Sequence, residues 1–473
     1  MTRRRRMHLR LVGSAWIALA LGACAGLPKK PQPVALATEA PLSDMAGDGS
    51  AWPEHDWWRR YRDSTLDQLI DMALSSSPSL ATAHARFDSA RQSVRIAGAQ
   101  SGAHVDAVGD ADRQRLSNNG VFSPRLLGFS WYNQFDLGLQ ASYTFDWWDK
   151  QKDSVQAAMD EAHAAQADRS AAALMLESSI ADAYFGWQAD ESRLALARER
   201  EAAVAQLGSI SAARIHAELD PADDINHTDS DLAAVRQQIA SLEGSAQLHV
   251  VEIASLVGRS AAELPAFTVK PLPTIDQGLP DNVKLDLIAR RADITASRWR
   301  VEAAEKNRDS ARAEFFPDIT VNGLLGLQSV DIGSLLNYGS RVPQVTGAIH
   351  LPIFDAGRLK ARYGASQSAI ESAVSSYRET VVTAARDVAT QVATRAQIAA
   401  ERKQRLVEVE AAQRLTLSAA ARVKQGVTDP RPELDATTSW LQQRDELLQL
   451  DAAAISTDIG LQRALGGGYE RTN

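Results

Sequence analysis

The sequence predicts a mainly helical chain with a small β part, built as two copies of one structural unit. Three observations support this: long runs rich in Ala, Glu, Gln and Arg, four short segments of alternating polar and apolar residues, and self-similarity at an offset of about 208–214 residues. The long runs contain strong helix formers, whereas alternation sends side chains to opposite faces of a strand. The 473 residues are 45% hydrophobic and 23% charged, as in globular proteins.

The N-terminus has the pattern of a signal peptide. A basic segment, TRRRRMHLR, precedes the apolar segment LVGSAWIALALGA, which is too short for a convincing membrane-spanning helix. The segment ends in Leu21-Gly22-Ala23-Cys24, which resembles a bacterial lipobox, and Cys24 is the only cysteine. Cleavage after residue 23 would leave Cys24 to be acylated, and Ala25 favours the outer membrane. Alternatively, Cys24 is an incidental cysteine near a cleavage site.

The charge and cysteine content restrict the partners. Cleavage after residue 23 removes five Arg and no acidic residue, which leaves 46 basic and 59 acidic residues and a formal charge of −13. This charge argues against a nucleic-acid partner, because phosphates are bound by Lys and Arg. A single cysteine gives no disulfide framework.

Three pairs of segments carry the internal repeat. SSSPSLATAHARF at Ser75 aligns with ARRADITASRWRV at Ala289, ASYTFDWWDKQKD with AIHLPIFDAGRLK, and AARIHAELDPADD with AARVKQGVTDPRP. Each copy is therefore predicted as helix, strand, loop, strand, long helix, turn and helix. The predicted organisation is a signal peptide (1–23), a lipidated arm (24–64), a first repeat (65–258), a linker (259–280), a second repeat (281–467) and a tail (468–473).

Each repeat contains one very long predicted helix, over about 153–217 and about 359–425. Neither run contains Pro, and the first contains two glycines, Gly186 and Gly208. About 65 residues at 1.5 Å each would extend roughly 100 Å. Apolar residues such as Ile180 and Tyr184 recur along the first run, so we expect packed helices of coiled-coil type.

Four segments read as strands with one apolar and one polar face. In QFDLGLQASYTFDW (134–147), Phe135 begins the apolar series and Gln134 the polar one. The other predicted strands cover 105–112, 319–328 and 345–353. About ten tilted residues cross a bilayer as a strand, and this alternation is typical of outer-membrane barrels. The face of Phe135 is therefore predicted to meet lipid, and the face of Gln134 a water-filled pore.

Four strands cannot close a barrel by themselves. The smallest membrane barrels have eight strands, and an open sheet edge cannot lie in lipid. The barrel must therefore be shared between chains. Three copies would supply twelve strands together with a sheath of long helices.

With these features the chain resembles the TolC-like outer-membrane factors, in their lipoprotein branch of multidrug efflux (NodT/OprM-like). The resemblance covers nearly all of 50–467 and rests on LGAC, ARAEFFPDITVNG, LPIFDAGRLKA and VKQGVTDPRPELDATTSWLQQRDEL. It implies a homotrimer with a 12-stranded outer-membrane barrel and a hollow periplasmic α-helical barrel that is closed at its tip. The implied activity is passive export of small toxic molecules or drugs. The implied partners are a periplasmic adaptor (membrane fusion protein), an inner-membrane pump and outer-membrane lipid.

The same resemblance implies a charged constriction at the closed tip. It assigns Asp435 to this constriction, where three copies would form an acidic ring that selects for cations. The family often has a second carboxylate three residues earlier; that position is Pro432 here, next to Glu433. The first repeat offers Asp223 and Asp224. Alternatively, all these acids are helix caps or first-turn residues favoured by the helix dipole.

Two further sets of residues are candidates for contacts. The turns at about 217–222 and 424–430 end the longest helices, so they are predicted to form the adaptor-docking tips. The tip residues are Leu219, Asp220, Gly426 and Val427. Aromatic residues flank the second strand at both ends and are predicted to lie at the membrane interface, although core or turn packing would also explain them. These residues are Trp131, Tyr132 and Trp147.

No convincing catalytic or metal motif is present. HExxH, GxSxG and GxxxxGK[ST] are absent, so we expect neither an enzyme nor a cofactor. The competing functions are a conduit for type I protein secretion, a purely structural coiled-coil lipoprotein and a periplasmic enzyme. The lipobox favours efflux, the two-faced strands argue against a coiled coil alone, and the missing site argues against an enzyme.

The lipobox gives the first prediction. Cys24→Ser should abolish lipidation, because the acyl chains are carried by the cysteine. Palmitate labelling measures this, and globomycin should make the unprocessed native precursor accumulate. Labelling that persists in the variant would refute the lipobox.

Overall fold

In a computed structural model, the chain is described over residues 35–42, 49–119, 123–221, 223–275, 278–281 and 283–470. The predicted signal peptide and Cys24 lie outside these residues. The α-helices are α1 (Ser64–Ser76), α2 (Pro78–Gln100), α3 (Pro124–Leu127), α4 (Lys150–His216), α5 (Asp224–Val257), α6 (Val283–Arg290), α7 (Ala292–Ala313), α8 (Arg358–Lys424) and α9 (Arg431–Ala464). Short 3₁₀ helices cover Trp57–Tyr61, Ala261–Glu263, Ile332–Ser334 and Tyr338–Ser340. Within the described residues, no helix has a stretch that is long and apolar enough to span a membrane.

The strands form one antiparallel sheet in the order β1-β2-β3-β4. They are β1 (His104–Arg115), β2 (Trp131–Phe145), β3 (Asp318–Ser329) and β4 (Arg341–His350). The central pairing joins the two repeats, since β2 belongs to the first and β3 to the second. The mainly helical fold with a small four-stranded sheet is therefore confirmed.

The internal repeat is visible in the lengths of the helices. The helices α4 and α8 both contain 67 residues, and α5 and α9 both contain 34. Both ends of α4 and α8 differ by 208 positions, and both ends of α5 and α9 by 207. The two copies therefore match residue by residue along their helices, which confirms the predicted repeat.

The chain divides into two compact units, which are interleaved in sequence. One contains Asp88–Ala164 and Arg298–Ser375, and therefore holds the whole sheet. The other contains Leu36–Phe87, Ala165–Ser297 and Ser376–Asn473, and therefore holds the turns after both long helices.

The sheet has the two faces that the alternation predicts. In the register of the strands, Leu139 of β2 lies opposite Ala107 of β1 and Leu325 of β3. Paired residues share a face, so the apolar series of all four strands forms one continuous surface. Its large side chains are exposed, among them Leu137, Leu139, Tyr143, Leu325, Val345 and Ile349.

The last strand differs from its prediction. The alternation predicted 345–353, whereas β4 covers Arg341–His350. Pro352 has no N–H for a ladder and the chain turns into α8, which explains the earlier end. Pro343 lies within β4, on an edge strand, where a missing donor is tolerated.

At the start of each long helix, an aspartate from the preceding connection accepts a hydrogen bond from the helix backbone. Asp146 accepts a hydrogen bond from the backbone N–H of Lys152 at 2.8 Å, and Asp355 from that of Leu359 at 2.7 Å. These carboxylates satisfy N–H groups of the first helical turn. Asp149, which corresponds to Gly357 of the second repeat, adopts a left-handed backbone with φ of 59°. The aspartate thus takes the conformation that the turn requires, which only a few residue types adopt readily.

The N-terminal arm packs into the main hydrophobic core of the second unit. Trp57, Trp58 and Tyr61 are buried there against residues of α1, α4, α5 and α9. The indole of Trp57 donates to Glu177 at 3.2 Å, and the hydroxyl of Tyr61 donates to Asp458 at 2.6 Å. The arm is therefore held by both apolar contact and buried hydrogen bonds.

Two residues of α4 make specific contacts with neighbouring helices. Gly186 lies beneath His249 of α5, and a Cβ there would come within 2.7 Å of the imidazole. Gly186 therefore permits close packing of α4 and α5. Further along, Arg193 forms an ion pair with the buried Asp445 of α9, with Nε 2.8 Å from Oδ1.

Glu177 makes the stability of this core depend on pH. Burial raises the pKa of its carboxyl to about 7, against an ordinary 4.5. A carboxyl whose pKa is higher in the folded state destabilises the fold as pH rises through that window. Glu177→Gln should therefore stabilise the protein at pH 8, by at most about 3 kcal/mol, and have little effect at pH 5.

Thermal unfolding of both proteins at the two pH values measures this difference. Glu410→Gln is the control, because Glu410 is exposed and lies 3.8 Å from Arg414 at the surface. A stabilisation of equal size at both pH values would contradict the prediction.

Candidate functional site

The two turns after the long helices have the same local geometry. Glu218 and Gly426 adopt left-handed backbone angles, with φ of 59° and 72°. The next residue's N–H then bonds back to the helix, from Leu219 to the carbonyl of Arg214 and from Val427 to that of Arg422. This is the Schellman ending of a helix. It leaves the side chains of Leu219 and Val427 exposed at the two turns.

Two arginines and two aspartates join the turns of the two repeats. Asp220 accepts two hydrogen bonds from Arg214, at 2.7 and 2.8 Å, and one from Arg431 at 3.0 Å. Arg431 also donates to Asp429 at 2.9 Å, and Arg214 lies 3.9 Å from Asp429. We call these four residues the tip clasp. It connects positions more than 200 residues apart in sequence.

The tip clasp has a consistent electrostatic signature. Hydrogen bonds from Arg214 lower the pKa of Asp220, and those from Arg431 lower the pKa of Asp429. Both carboxylates therefore stay ionised at neutral pH. Bidentate Arg–carboxylate contacts are also geometrically specific, so the clasp defines how the two turns meet.

Three of the four predicted tip residues are exposed, and the fourth forms ion pairs within the tip clasp. Leu219, Gly426 and Val427 have free surfaces. The carboxylate of Asp220 is instead enclosed by the two guanidinium groups of the clasp. Sequence analysis missed Arg214, Asp429 and Arg431. The Asp-Pro pair that both turns share was the available signal.

The predicted aperture residues occupy different positions in their helices. Asp223 precedes α5 without a side-chain cap, and Asp224 and Glu433 lie in first turns, where the helix dipole alone would favour them. Asp435 is exposed and lies beyond the first turn of α9. Partial desolvation raises the pKa of Asp435, and the nearby carboxylates of Asp231 and Asp429 act in the same direction.

The aromatic residues predicted at the membrane interface do not all lie on the same face of the sheet. Trp131 is exposed on the apolar face, with the guanidinium of Arg113 5.8 Å from its ring centre. Trp147 is exposed just beyond the other end of β2. Tyr132 lies on the polar face beside Gln114, so it does not share the surface of the two tryptophans.

Near the end of β4, a further apolar pair was missed. Ile353 and Phe354 are strongly exposed in the connection to α8. Trp148 is only partly free, because its ring stacks on Phe316 at 4.6 Å and its indole donates to the carbonyl of Pro317. Among the described residues, no three His, Cys, Asp or Glu side chains gather as a metal-binding group.

Comparison with known proteins agrees with this architecture over most of the chain. The chain is 30% identical to the multidrug resistance outer membrane protein MdtP of Escherichia coli O6:H1 over 448 residues, which are 93% of this chain and 91% of MdtP. Its fold is similar to that of the outer membrane protein VceC of Vibrio cholerae, with a TM-score of 0.77, 29% identity, and coverage of 89% of this chain and 100% of VceC.

The outer-membrane channel OprN shares the fold with a TM-score of 0.83, at 24% identity, over 93% of this chain and 98% of OprN. The sequence pattern of the outer membrane efflux protein family matches both halves of the chain, at residues 69–259 and 285–467. The two-faced sheet, the paired long helices and these matches agree, and the chain belongs to the outer membrane efflux protein family.

Proposed function

We propose that three copies of this chain form the outer-membrane exit duct of a tripartite efflux system, which conducts small toxic molecules or drugs passively. The observation that carries the proposal is the sheet: one face is apolar and exposed, and no further strand among the described residues pairs with either edge. Three such sheets supply the twelve strands of a closed barrel, which leaves no edge in lipid. The lumen would then be lined by the polar face, which includes Asp110 and Asp136.

The proposed partners are a periplasmic adaptor (membrane fusion protein) and an inner-membrane pump. Exposed apolar side chains at Leu219 and Val427 give each turn a docking point for the adaptor. The energy would come from the pump, since the chain shows no motif for an enzyme or a cofactor. The relatives are multidrug resistance proteins, which favours efflux over type I protein secretion.

Two anchors are proposed for the membrane part. Trp131 and Trp147 lie near opposite ends of β2, where their rings would meet the two membrane interfaces. Acyl chains on Cys24 would attach the arm to the inner leaflet of the outer membrane. The arm is then fixed at its other end by the burial of Trp57 and Trp58.

The aperture is proposed at the turns, with Asp435 as the carboxylate that faces the axis. Its raised pKa is consistent with a position among other acids, which three copies would bring closer together. Glu433, Asp223 and Asp224 are the further candidates. The tip clasp would hold the first and second turns of each chain together in the closed state.

Asp435→Asn should weaken block of the channel by a divalent cation several-fold, because three carboxylates around one axis attract cations. Single-channel conductance in planar bilayers, with and without the cation, measures this. Glu201→Gln is the control, since the carboxylate of Glu201 is held by Arg236 at 2.7 Å. If both variants are blocked equally, Asp435 does not line the aperture.

Arg431→Gln should increase the time that the channel spends open, because it removes the guanidinium that connects Asp220 with Asp429. The same bilayer recordings provide the measurement. Arg422→Gln is the matched control. Arg422 occupies in α8 the position that Arg214 has in α4, but its side chain is exposed. Unchanged opening in Arg431→Gln would show that the clasp does not restrain the closed state.

A further inference from the structure

Within one chain, α4 and α9 pack antiparallel in a single register. Arg463 contacts Met175, Ser456 hydrogen-bonds to Asp182, and Asp445 pairs with Arg193. The three contact positions are spaced by seven and then eleven residues along α4. They have the same spacings in the reverse direction along α9, as expected for antiparallel helices in one register. The first repeat therefore meets the second through one continuous helix pair.

This helix pair buries one face of α9. Ile455 is completely buried and Asp458 is 2% exposed, where they pack against α4 and the arm. Asp458 accepts the hydrogen bond of Tyr61 there. Within the chain, the isoleucine of this face is buried and its carboxylate accepts a hydrogen bond.

In the part of the chain that the structure describes, the equivalent face in the other repeat is exposed. An offset of 207 residues places Leu248 and Val251 of α5 at the positions of Ile455 and Asp458. These two apolar side chains are 70% and 55% exposed. They lie one helical turn apart on the same stripe of α5, so they form one apolar surface rather than two separate exposures.

The equivalent of α4 is α8, through the offset of 208 residues. Asp182 of α4 then corresponds to Thr390 of α8, which is exposed, and Ser456 of α9 corresponds to His249 of α5. The same antiparallel register, moved to α8 and α5, would bring Thr390 next to the surface formed by Leu248 and Val251.

We propose that α8 of one copy packs antiparallel on α5 of a second copy, with Leu248 and Val251 of the second copy seated on α8 around Thr390. The inference rests on the proposed trimer, which supplies the second copy, and it specifies the helical contact between copies. The sheet requires the same order of repeats. Its open edges are β4 of the second repeat and β1 of the first, so the second repeat of one copy meets the first repeat of the next.

The reason that the second copy is the occupant lies in the repeat itself. The two repeats of a chain match along all four long helices. The contact between α4 of the first repeat and α9 of the second can therefore recur between α8 of one chain and α5 of the next. Repetition of this contact closes a ring and covers the surface of Leu248 and Val251 in every copy.

The test is cysteine crosslinking in the assembled protein. A chain with both Thr390→Cys and Leu248→Cys should give covalent dimers and trimers with a short bismaleimide. The control carries Thr390→Cys with Glu243→Cys, because Glu243 faces α4, where Arg198 donates to it at 2.9 Å. The unsubstituted chain shows any product that comes from Cys24.

The outcomes separate the helical contact from the proposed function. Crosslinking of the test pair with little in the control supports the contact. Trimers in native mass spectrometry without crosslinks in the test pair, or with equal crosslinks in the control, overturn the contact and leave the exit duct intact. A monomer in native mass spectrometry overturns both.

A second variant probes the same surface by charge. Leu248→Glu combined with Val251→Glu should lower the temperature at which the trimer dissociates, because it would place carboxylates in an apolar contact. Leu219→Glu is the control, since Leu219 is similarly exposed but lies at a turn. If both variants dissociate at the temperature of the unsubstituted protein, Leu248 and Val251 are not at the contact.

Discussion

The unpaired edges of β1 and β4 are the constraint on which the rest of the molecule depends. Every second residue of an edge strand directs a backbone N–H and C=O outward, and a bilayer offers neither a donor nor an acceptor. Each unsatisfied group costs several kcal/mol in hydrocarbon. A sheet of four strands has two such edges and cannot satisfy them alone. A sheet of this kind therefore needs strands from neighbouring chains before it can lie in lipid.

The helices obey a different rule, because a helix satisfies its own backbone. The chain enters α4 five residues after β2 ends and α8 eight residues after β4 ends, each time under a capping aspartate. The helices can then extend through water without an edge problem, and only their sides require partners. These sides combine small apolar residues with specific ion pairs such as Arg193–Asp445. Directional contacts of this type set the register, which a uniform apolar stripe would leave loose.

Periodicity predicted the elements well because it depends on neighbouring residues. The long helices begin and end within three residues of the predicted positions, and the apolar faces of the strands are those that alternation assigned. Parity alone would also have separated Tyr132 from Trp131, since adjacent residues of a strand face opposite ways. The tip clasp could not be predicted in this way. Its members come from two turns that meet only in the folded chain, and Arg214, near the C-terminus of α4, has an ordinary explanation in the helix dipole.

The equal lengths of the paired helices have a consequence for how such a protein can change. One inserted residue rotates everything beyond it by about 100° around the helix axis, because an α-helix has 3.6 residues per turn. An insertion in α4 alone would therefore turn its contact residues away from both α5 and α9, and it would also end the equivalence with α8. Changes of helix length are compatible with the fold only when they occur in all four long helices together. The loops between β1 and β2 and between β3 and β4 carry no such restriction, so natural variation in chain length should concentrate there.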